Sequence, residues 1–164
     1  MNAVSRIASM SKAMKVVLAV VLAIVLVSVV VASAQDAPVA PTQEELRAMQ
    51  ERAATLGLPE GVVQLTPCVP GMGEHWANPA HMPFGPIYGV VGDEVVFVEI
   101  MPSQEQFARG ESWLEVLVPL PGKTIDHVDI EFLPHGHEGY EVAHYDIHAY
   151  FVTHAEHTAF CPGG

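Results

Sequence analysis

The sequence predicts a mainly β fold, an antiparallel barrel or sandwich of about six strands with an N-terminal helix. Three observations lead there. Beyond residue 60 the apolar residues recur every second position in short runs, and Gly and Pro punctuate those runs. Gly92-Asp93 sits between two such runs as a two-residue hairpin turn. Before them, one segment has a helix start signal and an apolar stripe at helical spacing.

Residues 1–34 have a different character. Lys12 and Lys15 precede an apolar run from Val16 to Val27 that continues past Ser28 to Ala32, and Ala32-Ser33-Ala34 supplies a small-residue cleavage site. This is the pattern of a secretory signal, with an uncleaved membrane anchor as the alternative. Residues 35–41 then form a Pro/Ala linker, and residues 42–164 a single His-rich β domain. Cleavage leaves a domain with no stable membrane insertion, located in the periplasm or outside the cell.

The formal charge of −12 averages over that basic segment, which holds three of the seven Lys and Arg and no acid. Without it, four basic residues face 19 acidic ones, a charge of −15. Such a surface repels phosphate backbones and excludes a nucleic-acid partner. Cys68 and Cys161 are the two cysteines, and in an oxidising compartment they are expected to pair. Free thiols or ligation of a soft metal are the alternatives.

Thr42-Gln43-Glu44-Glu45 fits a capping box, and Leu46, Met49, Ala53 and Leu56 form the apolar stripe up to Gly57 and Pro59. Val62–Leu65 is a short strand candidate. Residues 67–86, rich in Pro and Gly, read as a long ordered loop. Strands are expected at Ile87–Val91, Glu94–Met101 and Trp113–Val118, with helical turns at Ser103–Arg109. Two longer strands, Ile125–Leu133 and Val142–Val152, flank the loop PHGHEGYE.

That last hairpin carries the chemistry. Val128, Ile130 and Phe132 alternate with His127, Asp129 and Glu131, and Tyr145, Ile147, Ala149 and Phe151 alternate with His144, Asp146, His148 and Tyr150. Each strand therefore has an apolar face and a face of imidazole and carboxylate. A symmetric loop would place Glu131 opposite His144, Asp129 near Asp146 and His127 opposite His148, close enough to share an ion. A solvated face usually carries Lys, Thr and Ser, and this one has none.

The expected partner is a divalent transition metal, Zn²⁺ first, with Mn²⁺, Fe²⁺, Ni²⁺ or Cu²⁺ suited to the same donors. The candidate ligands are His75, His127, Glu131, His137, His144 and His148, with Glu74, Asp129 and Asp146 as orienting groups behind them. Met72, His75, His81 and Met82 are a looser group that suits Cu(I). His135-x-His137 followed by Glu138 could chelate from one loop, with His135 equally readable as a solvated loop residue, and His154 and His157 read as surface residues. No G-x-S-x-G, P-loop, G-x-G-x-x-G or H-E-x-x-H string is present. The alternatives are a metal-dependent hydrolase or lyase with Glu131 or Glu74 as general base, and a self-associating envelope protein whose histidines form a pH-sensitive surface. The latter leaves room for a homo-oligomer.

Several strings together resemble a known family. They are Pro70-Gly71-Met72-Gly73-Glu74-His75-Trp76, Gly85-Pro86-Ile87-Tyr88-Gly89 and Val96-Phe97-Val98-Glu99, followed by Gly136-His137-Glu138 and His144-Tyr145-Asp146-Ile147-His148. Over about Cys68 to Val152 the chain resembles the domain family of unknown function called TTHB-two-ten-like. The resemblance implies an exported bacterial protein and places His75, His137, His144 and His148 in a shared pattern. It supplies no reaction. Relatives carry an aromatic residue where this chain has Ala149; that position is on the apolar face, so packing is expected to change and ligation is not.

Overall fold

The computed structural model describes residues 40–162. The expected signal segment 1–34 and residues 35–39 of the expected linker 35–41 lie outside the described residues. Helix α1 (Gln43–Thr55) begins at Thr42, whose hydroxyl accepts from Glu45 N–H while the Glu45 carboxylate accepts from Thr42 N–H, the reciprocal capping box expected there. No described helix is long and apolar enough to cross a membrane.

Six strands follow: β1 (Val63–Gln64), β2 (Glu74–Ala77), β3 (Ile87–Val91), β4 (Glu94–Ile100), β5 (His127–Leu133) and β6 (His144–Tyr150). They form one antiparallel sheet in the order β1-β2-β3-β4-β6-β5. The sheet does not close into a barrel, because β1 and β5 are left as edges and β1, two residues long, offers almost no ladder to pair with. Two short helices, α2 (Gln104–Ala108) and α3 (His154–His157), begin at Ser103 and Thr153 with capping boxes of their own.

The strand count matches expectation, but one member differs. Residues 113–118 are not a strand: Glu115 and Leu117 both have φ of 54°, a left-handed backbone that breaks extended pairing. In their place, Glu74–Ala77 forms β2 inside the segment expected to be loop, pairing with β3 from Glu74↔Val90 to Ala77↔Ile87.

Pairing carries residues across the sheet in rows, and the rows define two faces. Trp76, Tyr88, Val98 and Ala149 are successive neighbours on one face. They are buried with Ala53 of α1 and with Leu58, Val62, Val90 and Val95. Ala149 lies fully inside this apolar cluster, as its place on the apolar face predicts. The opposite face carries the row His75, Gly89, Phe97, Tyr150, His127 and, beside it, the row Ile87, Glu99, His148, Asp129.

Gly89 makes room on this second face. A Cβ there would stand 2.1 to 2.6 Å from three atoms of the Phe97 ring. Phe97 is fully buried and contacts the His148 and Tyr150 rings edge-on, so it has nowhere to retreat. Gly89→Ala is therefore expected to cost about 2–3 kcal/mol, read as a drop in the denaturant midpoint; an unchanged midpoint would contradict this packing.

The two ends of the β domain are joined by the Cys68–Cys161 disulfide, with Cα atoms 6.0 Å apart and 93 residues of separation. Beside it, Gly71 N–H donates to the Phe160 carbonyl. The C-terminal segment is thereby held against the loop that precedes β2.

Candidate metal centres

The last hairpin has the expected alternation but a different register. Symmetric closure paired Glu131 with His144 and His127 with His148; the ladder instead pairs His127↔Tyr150, Asp129↔His148, Glu131↔Asp146 and Leu133↔His144. A two-residue slip preserves the faces and changes every partner. Its cause lies at the start of β6. The Ala143 carbonyl accepts from Gln104 N–H, Ser103 bridges to His144, and the Val142 carbonyl is taken by the His144 ring, so neither residue pairs with β5.

The polar face is turned inward. His144 is 0%, His148 1% and Glu99 2% exposed, whereas Ile130 on the apolar side of β5 is 63% exposed. Loops and α3 cover the polar face: His157 stacks on Tyr150 with centroids 4.0 Å apart, and Tyr140 stacks on His144 at 4.4 Å.

Beneath this cover three groups of potential ligand atoms assemble, each with its atoms within 4.8 Å of one another: His75–Glu99–His148, His137–His144–Asp146 and His127–Asp129–His154–His157. In the first, Glu99 Oε1 lies 3.3 Å from His148 Nε2, and Glu99 Oε2 lies 4.0 Å from His75 Nε2. The Thr66 hydroxyl lies 3.1 Å from His75 Nδ1, which leaves Nε2 as the ring atom facing Glu99. In the second, His144 Nδ1–H donates to the Val142 carbonyl at 2.6 Å, so Nε2 presents a lone pair toward Asp146 Oδ1, 2.9 Å away.

These close approaches are not hydrogen bonds. Glu99 Oε2, His127 Nε2, His144 Nε2, Asp146 Oδ1 and both ring nitrogens of His148 are buried without a hydrogen-bond partner. All belong to the three groups. Buried polar atoms ordinarily find partners, and leaving one unpaired costs about 1–3 kcal/mol. Donors arranged around a common ion at about 2.0–2.2 Å stand about 3–3.5 Å apart with lone pairs aimed at the ion, not at each other. Short, misaligned contacts between acceptors are what such an arrangement leaves.

Burial sets the charge states. Desolvation holds the His148 imidazole down to about 3, with the positive charge of His75 and His157 adding to it. Desolvation likewise lowers His75 to about 4, helped by His137. Glu99 is pushed well above the usual carboxylate range by burial and then by the negative charge of Asp146 and Glu131. Asp146 is raised by burial, against the opposing pull of His144 and His137. Burial thus disfavours the charged forms of both His148 and Glu99, although their separation alone would pass for an ion pair.

The expected ligands divide accordingly. His75 meets His148, and His137 meets His144. His127 faces Tyr150 across the ladder and gathers with Asp129, not with His148. Asp129 and Asp146 each place a carboxylate oxygen within one of these groups of potential ligand atoms. Glu131 is exposed and joins no group. Glu74 points to the other face, where it pairs with Arg52 at 3.1 Å and accepts from Trp76 Nε1–H at 2.9 Å. Met72 and Met82 pack into two different apolar clusters, and His81 is exposed, so the looser copper group does not assemble.

Three residues were not anticipated. Glu99 was legible as the lone carboxylate in the otherwise apolar run Val95–Ile100. His154 and His157, three apart after the capping Thr153, share one face of a helical turn.

No protein-family model matches the chain, and no curated protein does. Among solved structures, the crystal structure of hypothetical protein TTHB210 from Thermus thermophilus is similar. It has 23% identity and a TM-score of 0.48, and the match covers 54% of this chain and 80% of that one.

Proposed function

We propose that this is an exported protein that binds a divalent transition metal, Zn²⁺ before others, on the buried face of its sheet. His75, Glu99 and His148 form the principal site, and His137, His144 and Asp146 form a second. One observation carries the reading: buried nitrogen and oxygen atoms converge in these groups without hydrogen bonds among themselves. Two imidazoles with one carboxylate and no thiolate favour Zn²⁺ and its neighbours over the hard cations Mg²⁺ and Ca²⁺. Three protein ligands leave a coordination position open. The disulfide fits export to an oxidising compartment.

The self-associating alternative would be favoured by a histidine face fully open to solvent with no two histidines able to converge. Here His144 and His148 are buried, His75 is half-buried and His137 is exposed, and their ring nitrogens gather in two groups.

Elemental analysis of the untagged protein, before and after replacement of Glu99 with Gln and His148 with Leu, tests the proposal. Near-stoichiometric metal in the wild type, reduced in the variants, is expected. A metal-free wild type that gains no thermal stability from added Zn²⁺, Mn²⁺ or Cu²⁺ would sink it.

Binding also carries a proton signature. Burial already keeps His75 and His148 neutral above about pH 4, so neither has a proton to lose at pH 7. Glu99, raised by burial and by Asp146 and Glu131, holds its proton to higher pH than an ordinary carboxyl. Metal affinity is therefore expected to rise with pH as Glu99 deprotonates. Metal titrations across a series of pH values measure this; an affinity that does not change with pH would contradict the raised Glu99.

A further inference from the structure

We propose that His127, Asp129, His154 and His157 form a separate, four-ligand structural Zn²⁺ site that clamps α3 onto the sheet. These residues are not those of the two sites above, and the inference stands or falls separately from them.

The ligand atoms surround one point. His157 Nε2 is 2.9 Å from His154 Nδ1 and 3.7 Å from Asp129 Oδ2. Asp129 Oδ2 is 3.9 Å from His154 Nδ1 and 3.8 Å from His127 Nε2. A tetrahedral zinc shell requires separations of about 3.3–3.4 Å, and these values bracket it.

The groups behind the ligands fix which atom of each ring faces inward. His157 Nδ1–H donates to the Gly71 carbonyl at 3.1 Å, and His127 Nδ1–H donates to Asp126 at 3.0 Å. Both rings therefore present an unprotonated Nε2 to the centre, the arrangement that carbonyl and carboxylate partners impose on zinc-ligating histidines. His127 Nε2 is buried and otherwise unpartnered. Stacking of His127, Tyr150 and His157 holds the rings in place.

His154 completes the shell from solvent. Its Nδ1–H donates to His157 Nε2 in the metal-free state, and its side chain is 71% exposed. An ion would take up the Nδ1 lone pair once the proton resides on Nε2, an exchange that replaces the His154–His157 hydrogen bond with ligation.

Four protein ligands close the shell, which is the mark of a structural site rather than a catalytic one. Two ligands come from β5 and two from the single turn of α3, so an ion here joins the C-terminal segment to an edge strand.

Amide hydrogen exchange across residues 154–160, followed as Zn²⁺ is added to the untagged protein, is the test. Zn²⁺ is expected to slow exchange there, with half-protection in His154→Ala at least about tenfold higher in Zn²⁺ than in wild type. Because His154 is exposed, that variant keeps the fold, and Asp129→Asn provides an independent second case. Glu99→Gln and His148→Leu are expected to retain the protection. Wild type showing no Zn²⁺-dependent protection of α3, His154→Ala responding like wild type, or the loss of protection in Glu99→Gln and His148→Leu would each overturn the inference.

Discussion

Chelation of the metal is expected to lower the melting temperature by about 10–15 °C. An ion that binds only the folded state stabilises it by RT ln(1 + [L]/Kd), about 4 kcal/mol when free metal exceeds the dissociation constant a thousandfold. In a domain of this size each kcal/mol corresponds to about 3–4 °C. A scan with and without a strong chelator measures the shift, and an unchanged melting temperature would count against the inner sites. The His148→Leu variant sharpens the experiment. In the metal-free protein the His148 ring places two unpartnered nitrogens in a fully buried position. A leucine removes those unmet groups at similar volume. The variant is expected to be more stable than the chelated wild type by about 1–3 kcal/mol, while responding less to metal. A ring retained at this cost to the empty fold is best explained by what it binds.

Loss of the disulfide is expected to cost about 4–5 kcal/mol. Cys68 and Cys161 are separated by 93 residues, and closing so long a loop removes that much chain entropy from the unfolded state in the loop-closure model. Cys68→Ser with Cys161→Ser is expected to lower the guanidinium midpoint by about 1–1.5 M, given a slope near 3–4 kcal/mol/M. A shift below about 0.5 M would mean that the unfolded chain is already compact. The inner sites are built on β2, β4 and β6 and on the 134–143 loop, with the Thr66 hydroxyl, two residues before Cys68, beside His75 Nδ1. They are expected to keep their metal in this variant even as the global stability falls.

Much of the fold was legible because local signals agreed with tertiary placement. Thr42 and Glu45 announce α1 through their side-chain chemistry, and Gly92-Asp93 supplies the turn from Val91 to Glu94. β2 was obscured because the Pro- and Gly-rich residues around it dominate a pattern only four residues long. Residues 113–118 have a strand-like composition, yet backbone conformation at Glu115 and Leu117 overrides it. Alternation in β5 and β6 separates the two faces but does not say which is buried. Here the apolar residues of β5 face out and the histidines face in, because loops and α3 cover the polar side. Opposing partners depended on the start of β6, where the bonding of Ala143 to Gln104 is a long-range fact. The candidate ligands His75, His144 and His148 were therefore visible as residue types, whereas Glu99 stood out only as a carboxylate in an apolar run, and its place beside His148 depends on the β4–β6 pairing.

The attachment of the C-terminal segment has a reciprocal side. Cys161 lies four residues beyond His157, and His157 leans on Gly71, three residues beyond Cys68. The crosslink and an ion on His157 therefore hold the same two stretches of chain together. Linkage requires that each strengthen the other equally. An ion seated there makes the cystine harder to reduce, and reduction loosens the ion by the same factor. An ion in the proposed outer site would thereby be coupled to the thiol chemistry of its surroundings.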